Sequence, residues 1–128
     1  MTGRHPNVQL PPARTALIIE DNPHDAYTLE RLLIKRNIKP EIVTSAEVAQ
    51  GVAKHAFYDI MLIDIRLPGM SGAKLVQIFS DSNPNAKCVV VCGEPSDLFE
   101  LPAGQYVGFI RKPVTLEAVE EMLKQLNF

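Results

Sequence analysis

The sequence predicts one α/β domain, built on a parallel sheet of five strands with helices on both faces. Short apolar runs alternate along the chain with amphipathic stretches, and this pattern is typical of strands joined by crossover helices. The length of 128 residues and the hydrophobic content of 46% suit one core, because single domains most often have roughly 100 to 150 residues. We therefore expect a single folded domain.

The first residues of the chain differ in composition from the rest. Residues 1–14 contain Pro6, Pro11 and Pro12 and little that could form a repeated buried face, which is typical of a flexible segment. We predict a flexible leader over residues 1–14 and the folded domain over residues 15–128.

Short segments of three or four mostly apolar residues are the predicted strands. The third of them, residues 60–63, is apolar throughout and stops abruptly at Asp64, as expected for a strand that is buried on both faces. The predicted strands cover residues 16–19, 41–43, 60–63, 88–91 and 107–110.

Polar residues mark the starts of the predicted helices. Asn22 can cap the first helix, with Pro23 at its first position and Asp25 in its first turn. Thr44 and Glu47 have the spacing of a capping box at the start of the second helix. The first helix is expected to end near residue 36, the third to follow Gly72 and end at residues 83–84, and the last to follow a cap at Thr115.

The crossover between the fourth and fifth strands is short. Pro95 and Pro102 leave only residues 96–101 between them, enough for a helix of about 9 Å at most. We therefore predict a shortened fourth helix.

Charge and hydropathy exclude two classes of function. The chain has 13 basic and 15 acidic side chains, a formal net charge of −2, and no basic stripe that could follow a phosphate backbone. Nucleic-acid binding through bulk charge is therefore not expected. The apolar runs fall far short of the roughly 20 residues that cross a bilayer, and no signal peptide is recognisable, so no membrane association is expected.

Cysteine usage agrees with a cytoplasmic location. Cys88 and Cys92 would lie about 13 Å apart on one extended strand, well beyond the roughly 7 Å between Cα atoms that a disulfide allows. We expect both thiols to stay reduced, as in the cytoplasm.

Acidic residues stand where two strands are predicted to end. Glu20 and Asp21 follow the first strand and Asp64 follows the third, and the carboxyl ends of neighbouring parallel strands meet at one crevice. Each acid taken singly is better explained as a residue that caps a strand or helix end in water. Carboxylates that lie this close together repel one another unless a cation binds between them. Their hard oxygen atoms are ligands that Mg²⁺ prefers. Lys112 after the fifth strand would bring an ammonium group to the same crevice, as phosphate sites often require.

With these residues in this order, the chain resembles the receiver domains of two-component response regulators over roughly residues 15–126. The segment 61–72, MLIDIRLPGMSG, is similar to the phosphoacceptor strand and loop of that family. The Glu20–Asp21 pair and the segment 108–113, GFIRKP, resemble two further hallmarks. The resemblance implies a flavodoxin-like doubly wound sheet of strand order 2-1-3-4-5.

The resemblance also implies the chemistry of the site. Asp64 would accept a phosphoryl group from a histidine of a sensor kinase or a phosphotransfer protein. Asp21 and Asp64 would bind Mg²⁺ directly, Glu20 through water, and the backbone carbonyl of Arg66 would complete the protein ligands. Lys112 would contact the phosphoryl group, a role that fits a transfer assisted by positioning and charge neutralisation.

The chain departs from the family pattern at the end of the fourth strand. Receivers usually carry Thr or Ser there, and this chain has Cys92, whose thiol is a weak hydrogen-bond donor. We expect weaker coupling between phosphorylation and loop rearrangement, while Gly93 can still offer its backbone amide to the phosphoryl group. Phe109 occupies the aromatic switch position of the family, and a buried structural phenylalanine is an equally acceptable interpretation. The peptide bond before Pro113 is typically cis in relatives, an isomer that sequence cannot assign.

Two charged residues flank the implied site. Arg66 and Glu94 lie two positions beyond Asp64 and Cys92, and we hypothesise that they pair across the mouth of the pocket and restrict attacking water. The alternative is two solvated side chains that together contribute about 0 to 1 kcal/mol.

The sequence therefore predicts a stand-alone response regulator receiver that is Mg²⁺-dependent, is not a conventional enzyme, and signals by contact with an unidentified downstream protein. The alternative is a degenerate receiver that acts as a phosphorylation-independent interaction module. A haloacid-dehalogenase phosphatase is disfavoured because Arg66 stands where a second acid is needed. A flavodoxin-type electron carrier is disfavoured because no Ser/Thr/Gly-rich phosphate loop follows the first strand.

Overall fold

The computed structural model describes residues 14–102 and 104–128. Its sheet has five parallel strands in the order β2-β1-β3-β4-β5, which confirms the predicted flavodoxin-like fold. The strands are β1 (Arg14–Ile19), β2 (Ile38–Val43), β3 (Ile60–Asp64), β4 (Lys87–Cys92) and β5 (Gly108–Arg111). The helices are α1 (Pro23–Lys35), α2 (Ala46–Ala53), α3 (Gly72–Ser82) and α4 (Leu116–Gln125), and a 3₁₀ helix covers Pro95–Glu100.

The predicted leader over residues 1–14 lies outside the described residues apart from Arg14, which is the first residue of β1. None of the helices within residues 14–102 and 104–128 is long and apolar enough to span a bilayer.

Helices cover both faces of the sheet. Neighbouring residues of the central strands alternate between two cores: Ile19 and Ile63 belong to the core on the α2 and α3 side, and Ile18 and Leu62 to the core on the α1 and α4 side. All of these side chains are fully buried. Burial on both faces explains why β3 is apolar at every position before its final aspartate.

The helix caps follow the sequence prediction with one exception. The Asn22 side chain accepts from the amides of His24 and Asp25 at 2.9 and 3.1 Å, and Thr115 caps α4. The cap predicted at Thr44 is wrong, because Ser45 has the extended backbone of a cap and its hydroxyl accepts from Val48 N at 3.1 Å.

Strand β2 is longer than the predicted residues 41–43. It begins at Ile38, directly after Asn37, whose positive φ of 61° turns the chain away from α1. The missing amide hydrogen of Pro40 is tolerated because β2 lies at an edge of the sheet.

The fourth crossover is a single 3₁₀ helix, which confirms the prediction that this element is shortened. None of its six residues is buried. Leu98 packs against the core from a partly buried position, while the side chain of Phe99 is 88% exposed. The 3₁₀ helix itself is therefore thinly anchored, while Leu101 directly after it is buried in the core.

Candidate functional site

The register of the strands brings three acidic residues together. Ile19 of β1 pairs with Ile63 of β3, so the residues that follow, Glu20 and Asp64, lie side by side. Carboxylate oxygens of Glu20, Asp21 and Asp64 all lie within 4.8 Å of one another. Glu20 and Asp64 are only 1% and 3% exposed, whereas Asp21 faces solvent. The result is a mostly buried acidic pocket that opens at Asp21.

Lys112 extends into this pocket from the residue after β5. Its Nζ lies 3.0 Å from Asp64 Oδ2 and 3.2 Å from Glu20 Oε2. Burial alone would lower the pKa of Lys112, but the hydrogen bond to Asp64 and the charges of both carboxylates outweigh it and raise that pKa above its ordinary value. The ammonium group therefore stays charged beside the buried acids.

Asp25 is a further member of the pocket, although its position in the sequence indicates only a first-turn residue of a helix. It is 6% exposed, its Oδ2 lies 3.5 Å from Lys112 Nζ, and its Oδ1 accepts from Val114 N at 3.4 Å. The spacing of four residues from Asp21 to Asp25, across the start of a helix that follows a strand end, is the signal that could have identified it.

The pocket has an excess of negative charge that its own residues do not balance. Glu20 Oε2 accepts from Asn22 N at 3.1 Å and from Lys112, but Glu20 Oε1 is buried and has no hydrogen-bond partner among the described residues. Burial, together with the neighbouring carboxylate of Asp64, raises the pKa of Glu20 well above its ordinary value. An unpartnered buried carboxylate oxygen beside other carboxylates fits a hard divalent cation such as Mg²⁺.

The loop after β3 closes tightly beside Asp64. Asp64 Oδ1 accepts from Arg66 N at 2.9 Å, and Gly72 N donates to Ile65 O at 3.0 Å. Gly69 has a φ of 79°, a conformation that glycine adopts without strain. These contacts fix the start of α3 directly against the end of β3.

The pairing predicted between Arg66 and Glu94 is wrong. The Arg66 guanidinium binds Asp97 instead, with Nε 3.0 Å from Oδ2 and Nη2 2.7 Å from Oδ1. The physical reason is that the 3₁₀ helix begins at Pro95 and carries Asp97 over the loop that holds Arg66, while Glu94 remains the residue before the helix. Arg66 and Asp97 both border an open cleft of about 570 Å³ that reaches Asp21.

The residues at the end of β4 surround the same region. Cys92 is fully buried, and burial, together with the charge of Asp97, raises the pKa of its thiol. A thiol with a raised pKa stays protonated, as expected for a weak hydrogen-bond donor. A thiolate that could sense oxidants is therefore disfavoured at this position. Gly93 follows at an exposed position. Cys88 is also buried and free, as predicted.

The interpretation of Phe109 as a buried structural residue is wrong, because its side chain is 43% exposed on the edge strand β5. The aromatic group is therefore accessible from solvent. The Lys112–Pro113 peptide bond is cis.

Comparison with known proteins places these features in a family. The model of the response regulator receiver domain matches residues 16–124. Two-component response regulator 24 of Arabidopsis thaliana is 27% identical over 120 residues, which cover 89% of this chain and 84% of that protein. The chain spans only 35%, 25% and 12% of the length of three further curated relatives.

Solved structures agree with the family match. A CheY-like receiver domain from Methylobacillus flagellatus superposes with a TM-score of 0.80 at 28% identity, covering 88% of this chain and 98% of that one. A response regulator protein of Thermotoga maritima in complex with Mg²⁺-BeF superposes with a TM-score of 0.79 at 19% identity, covering 88% and 98% of the two chains.

Proposed function

Since the chain belongs to the response regulator receiver domain family, we propose that it accepts a phosphoryl group on Asp64 from a histidine of a sensor kinase or phosphotransfer protein. It acts in two-component signalling as a phosphoacceptor rather than as an enzyme, and it passes the signal on by contact with a downstream protein. The observation that carries the proposal is the Lys112 ammonium, 3.0 Å from the buried carboxylate of Asp64.

Three groups of the site have proposed roles in the transfer. An oxygen of Asp64 attacks the phosphorus, forming an O–P bond as the N–P bond to the donor histidine breaks and its electron pair returns to the imidazole. Lys112 pairs with an oxygen of the incoming group, because its ammonium already lies beside Asp64. The backbone amide of Gly93 is the proposed second donor to that group. The product is an acyl phosphate.

Mg²⁺ is the proposed cofactor, held by Asp21 and Asp64, by Glu20 through water, and by the backbone carbonyl of Arg66. When bound, it neutralises charge on the phosphoryl oxygens. The unpartnered oxygen of Glu20 supports this assignment, as does the Mg²⁺-BeF bound by the Thermotoga maritima relative.

Acetyl phosphate tests the proposal without a partner kinase. We expect the protein to gain the mass of one phosphoryl group when it is incubated with acetyl phosphate and Mg²⁺, and to gain none when EDTA replaces Mg²⁺. Intact-mass spectrometry measures both outcomes. A protein that keeps its original mass in the presence of Mg²⁺ would contradict phosphoacceptor function.

That negative result would favour the second candidate, a degenerate receiver that works as a phosphorylation-independent interaction module. The buried, protonated thiol of Cys92 favours this candidate, because it replaces the hydroxyl that usually bonds the phosphoryl group. The rest of the pocket favours phosphorylation, since Lys112 and the acids are all in contact.

Mg²⁺ should also stabilise the fold, because it offsets the repulsion among buried carboxylates. At ten times its Kd we expect it to add about 1.4 kcal/mol to the free energy of unfolding, measured by thermal denaturation with and without Mg²⁺. Asp21→Asn should lose this stabilisation at the same Mg²⁺ concentration. Asp81→Asn, which removes an equal charge from an exposed position near the end of α3, should retain it. An equal response from both variants would mean that Asp21 is not a metal ligand.

A further inference from the structure

A continuous path of polar contacts joins the proposed phosphoacceptor to the fourth crossover. Asp64 Oδ1 accepts from Arg66 N at 2.9 Å. The side chain of the same arginine forms two hydrogen bonds to Asp97, at 3.0 and 2.7 Å. Asp97 lies on the 3₁₀ helix Pro95–Glu100. A change at Asp64 therefore has a direct route to this helix through one residue.

The 3₁₀ helix depends on this pair for its position. It contains no buried residue, and Glu94 before it makes no capping side-chain bond. Among the described residues, the two bonds from Arg66 are the side-chain hydrogen bonds that tie this helix to the rest of the domain. Packing of Leu98 against the core adds to them. Loss of the ion pair would leave the 3₁₀ helix held by the packing of Leu98 and by Leu101, the residue directly after it, which is buried in the core.

The electrostatics of the ion pair change when Asp64 is phosphorylated. A phosphoryl group carries about −1.5 to −2 charges at pH 7, against the single charge of Asp97. A guanidinium binds phosphate oxygens in the same two-pronged geometry that it uses for carboxylates. The Arg66 side chain is 71% exposed and borders the open cleft of about 570 Å³, so it has room to reorient.

The hydrogen bond by which the residue at the end of the fourth strand usually contacts the phosphoryl group is expected to be weak in this chain. Cys92 stands at the end of β4, fully buried, and a thiol donates poorly to a phosphoryl oxygen. A guanidinium is a much stronger partner for that group. The arginine two residues after Asp64 is therefore the better candidate for carrying the signal.

We propose that Arg66 is a phosphoryl-binding residue, an inference that rests on the proposed function. When Asp64 is phosphorylated, the Arg66 guanidinium leaves Asp97 and binds the phosphoryl group, and this exchange of partner releases the fourth crossover. The released segment includes Phe99, 88% exposed, so the surface offered to a partner changes with phosphorylation. The Arg66–Asp97 pair takes over the coupling that a hydroxyl at position 92 would provide.

Hydrogen–deuterium exchange of residues 95–101, with and without Mg²⁺ and acetyl phosphate, tests this inference, with intact mass measured on the same samples. In the wild type, phosphorylation should accelerate exchange of this segment roughly two- to fivefold, as expected for loss of one exposed ion pair. Arg66→Ala and Asp97→Asn should exchange at the faster rate before phosphorylation and change no further. Glu100→Gln removes a charge from the same helix without breaking a bond to Arg66, and it should respond as the wild type does.

A charge-reversed double variant, Arg66→Asp with Asp97→Arg, sharpens the test. It should restore slow exchange but show no acceleration on phosphorylation, because an aspartate at position 66 cannot bind the phosphoryl group. If Arg66→Ala gains the phosphoryl mass and still shows the wild-type acceleration, the coupling role of Arg66 is wrong while the proposed function stands. If the wild type gains no mass, the proposed function fails and this inference falls with it.

Discussion

Replacing Asp64 by asparagine is expected to abolish phosphorylation by acetyl phosphate and by any cognate kinase. The amide oxygen is a far weaker nucleophile than a carboxylate, and the side chain contributes one of the proposed Mg²⁺ ligands. Asparagine has nearly the same shape, and its single carbonyl oxygen can keep the bond that Oδ1 of Asp64 accepts from Arg66 N, whereas the amide nitrogen that replaces Oδ2 cannot accept from Lys112 Nζ. The fold should therefore be retained. Intact mass after incubation with Mg²⁺ and acetyl phosphate measures the loss, and circular dichroism checks the fold.

Asp25→Asn is the matched control for this variant. Asp25 is buried in the same pocket and contacts the same lysine, but it is not the proposed acceptor. The variant should still gain the phosphoryl mass, although more slowly. If Asp25→Asn is inert and Asp64→Asn reacts, the acceptor has been assigned to the wrong carboxylate.

Gly72→Ala is expected to damage both stability and phosphorylation. A Cβ at this position would overlap the carbonyl oxygen of Asp64 and would lie 2.5 Å from the Cα of Ile65. Both are backbone atoms, so α3 would have to move away from the end of β3. Overpacking of this kind costs about 1 to 3 kcal/mol, and occasionally more. Because the displaced atoms include the backbone of Asp64, we also expect phosphorylation to slow by about ten- to hundredfold.

Gly51→Ala is the control for a glycine that has no such neighbour. A Cβ at Gly51 would meet no atom within 4 Å, and the residue lies inside α2. Alanine there should raise the free energy of unfolding by about 0.5 to 1 kcal/mol and leave phosphorylation unchanged. Urea denaturation should show changes of opposite sign in the free energy of unfolding of the two variants. A Gly72→Ala variant as stable as the wild type would show that the position of α3 does not depend on the close approach of Gly72 to the end of β3.

Most of the fold could be predicted because its determinants are local. The strands are apolar runs whose buried residues alternate between two helical layers, and the caps at Asn22 and Thr115 are recognisable within a few residues. The cap of α2 was misplaced by one residue, at Ser45, the start of β2 by three residues and the start of β1 by two, and β4 and β5 each differ from the predicted bounds by one residue at either end. These errors arose because hydrogen-bond geometry, and for β2 an edge position, decide where an element begins and ends, whereas composition does not.

The acidic site could be predicted for a similar reason. Glu20, Asp21, Asp64 and Lys112 all lie within two residues of the end of a predicted strand, and parallel strands bring their carboxyl ends to one edge of the sheet. Asp25 was not recognised, because its role depends on how α1 docks against the turn that holds Val114, a residue 89 positions away in the chain. The partner of Arg66 was predicted wrongly as Glu94, since only the path of the fourth crossover shows that Asp97 lies within reach of the guanidinium instead.

Periodicity and strand-end residues are sufficient to specify the sheet, its flanking helices and the four groups that line the pocket, because each of these depends on short stretches of chain. The Arg66–Asp97 pair joins residues 31 positions apart, and the exposure of Phe99 and Phe109 depends on what packs beside them. Such contacts form only in the folded protein, where side chains that are distant in sequence compete for the same partners. Local sequence patterns do not reveal which partner is in reach.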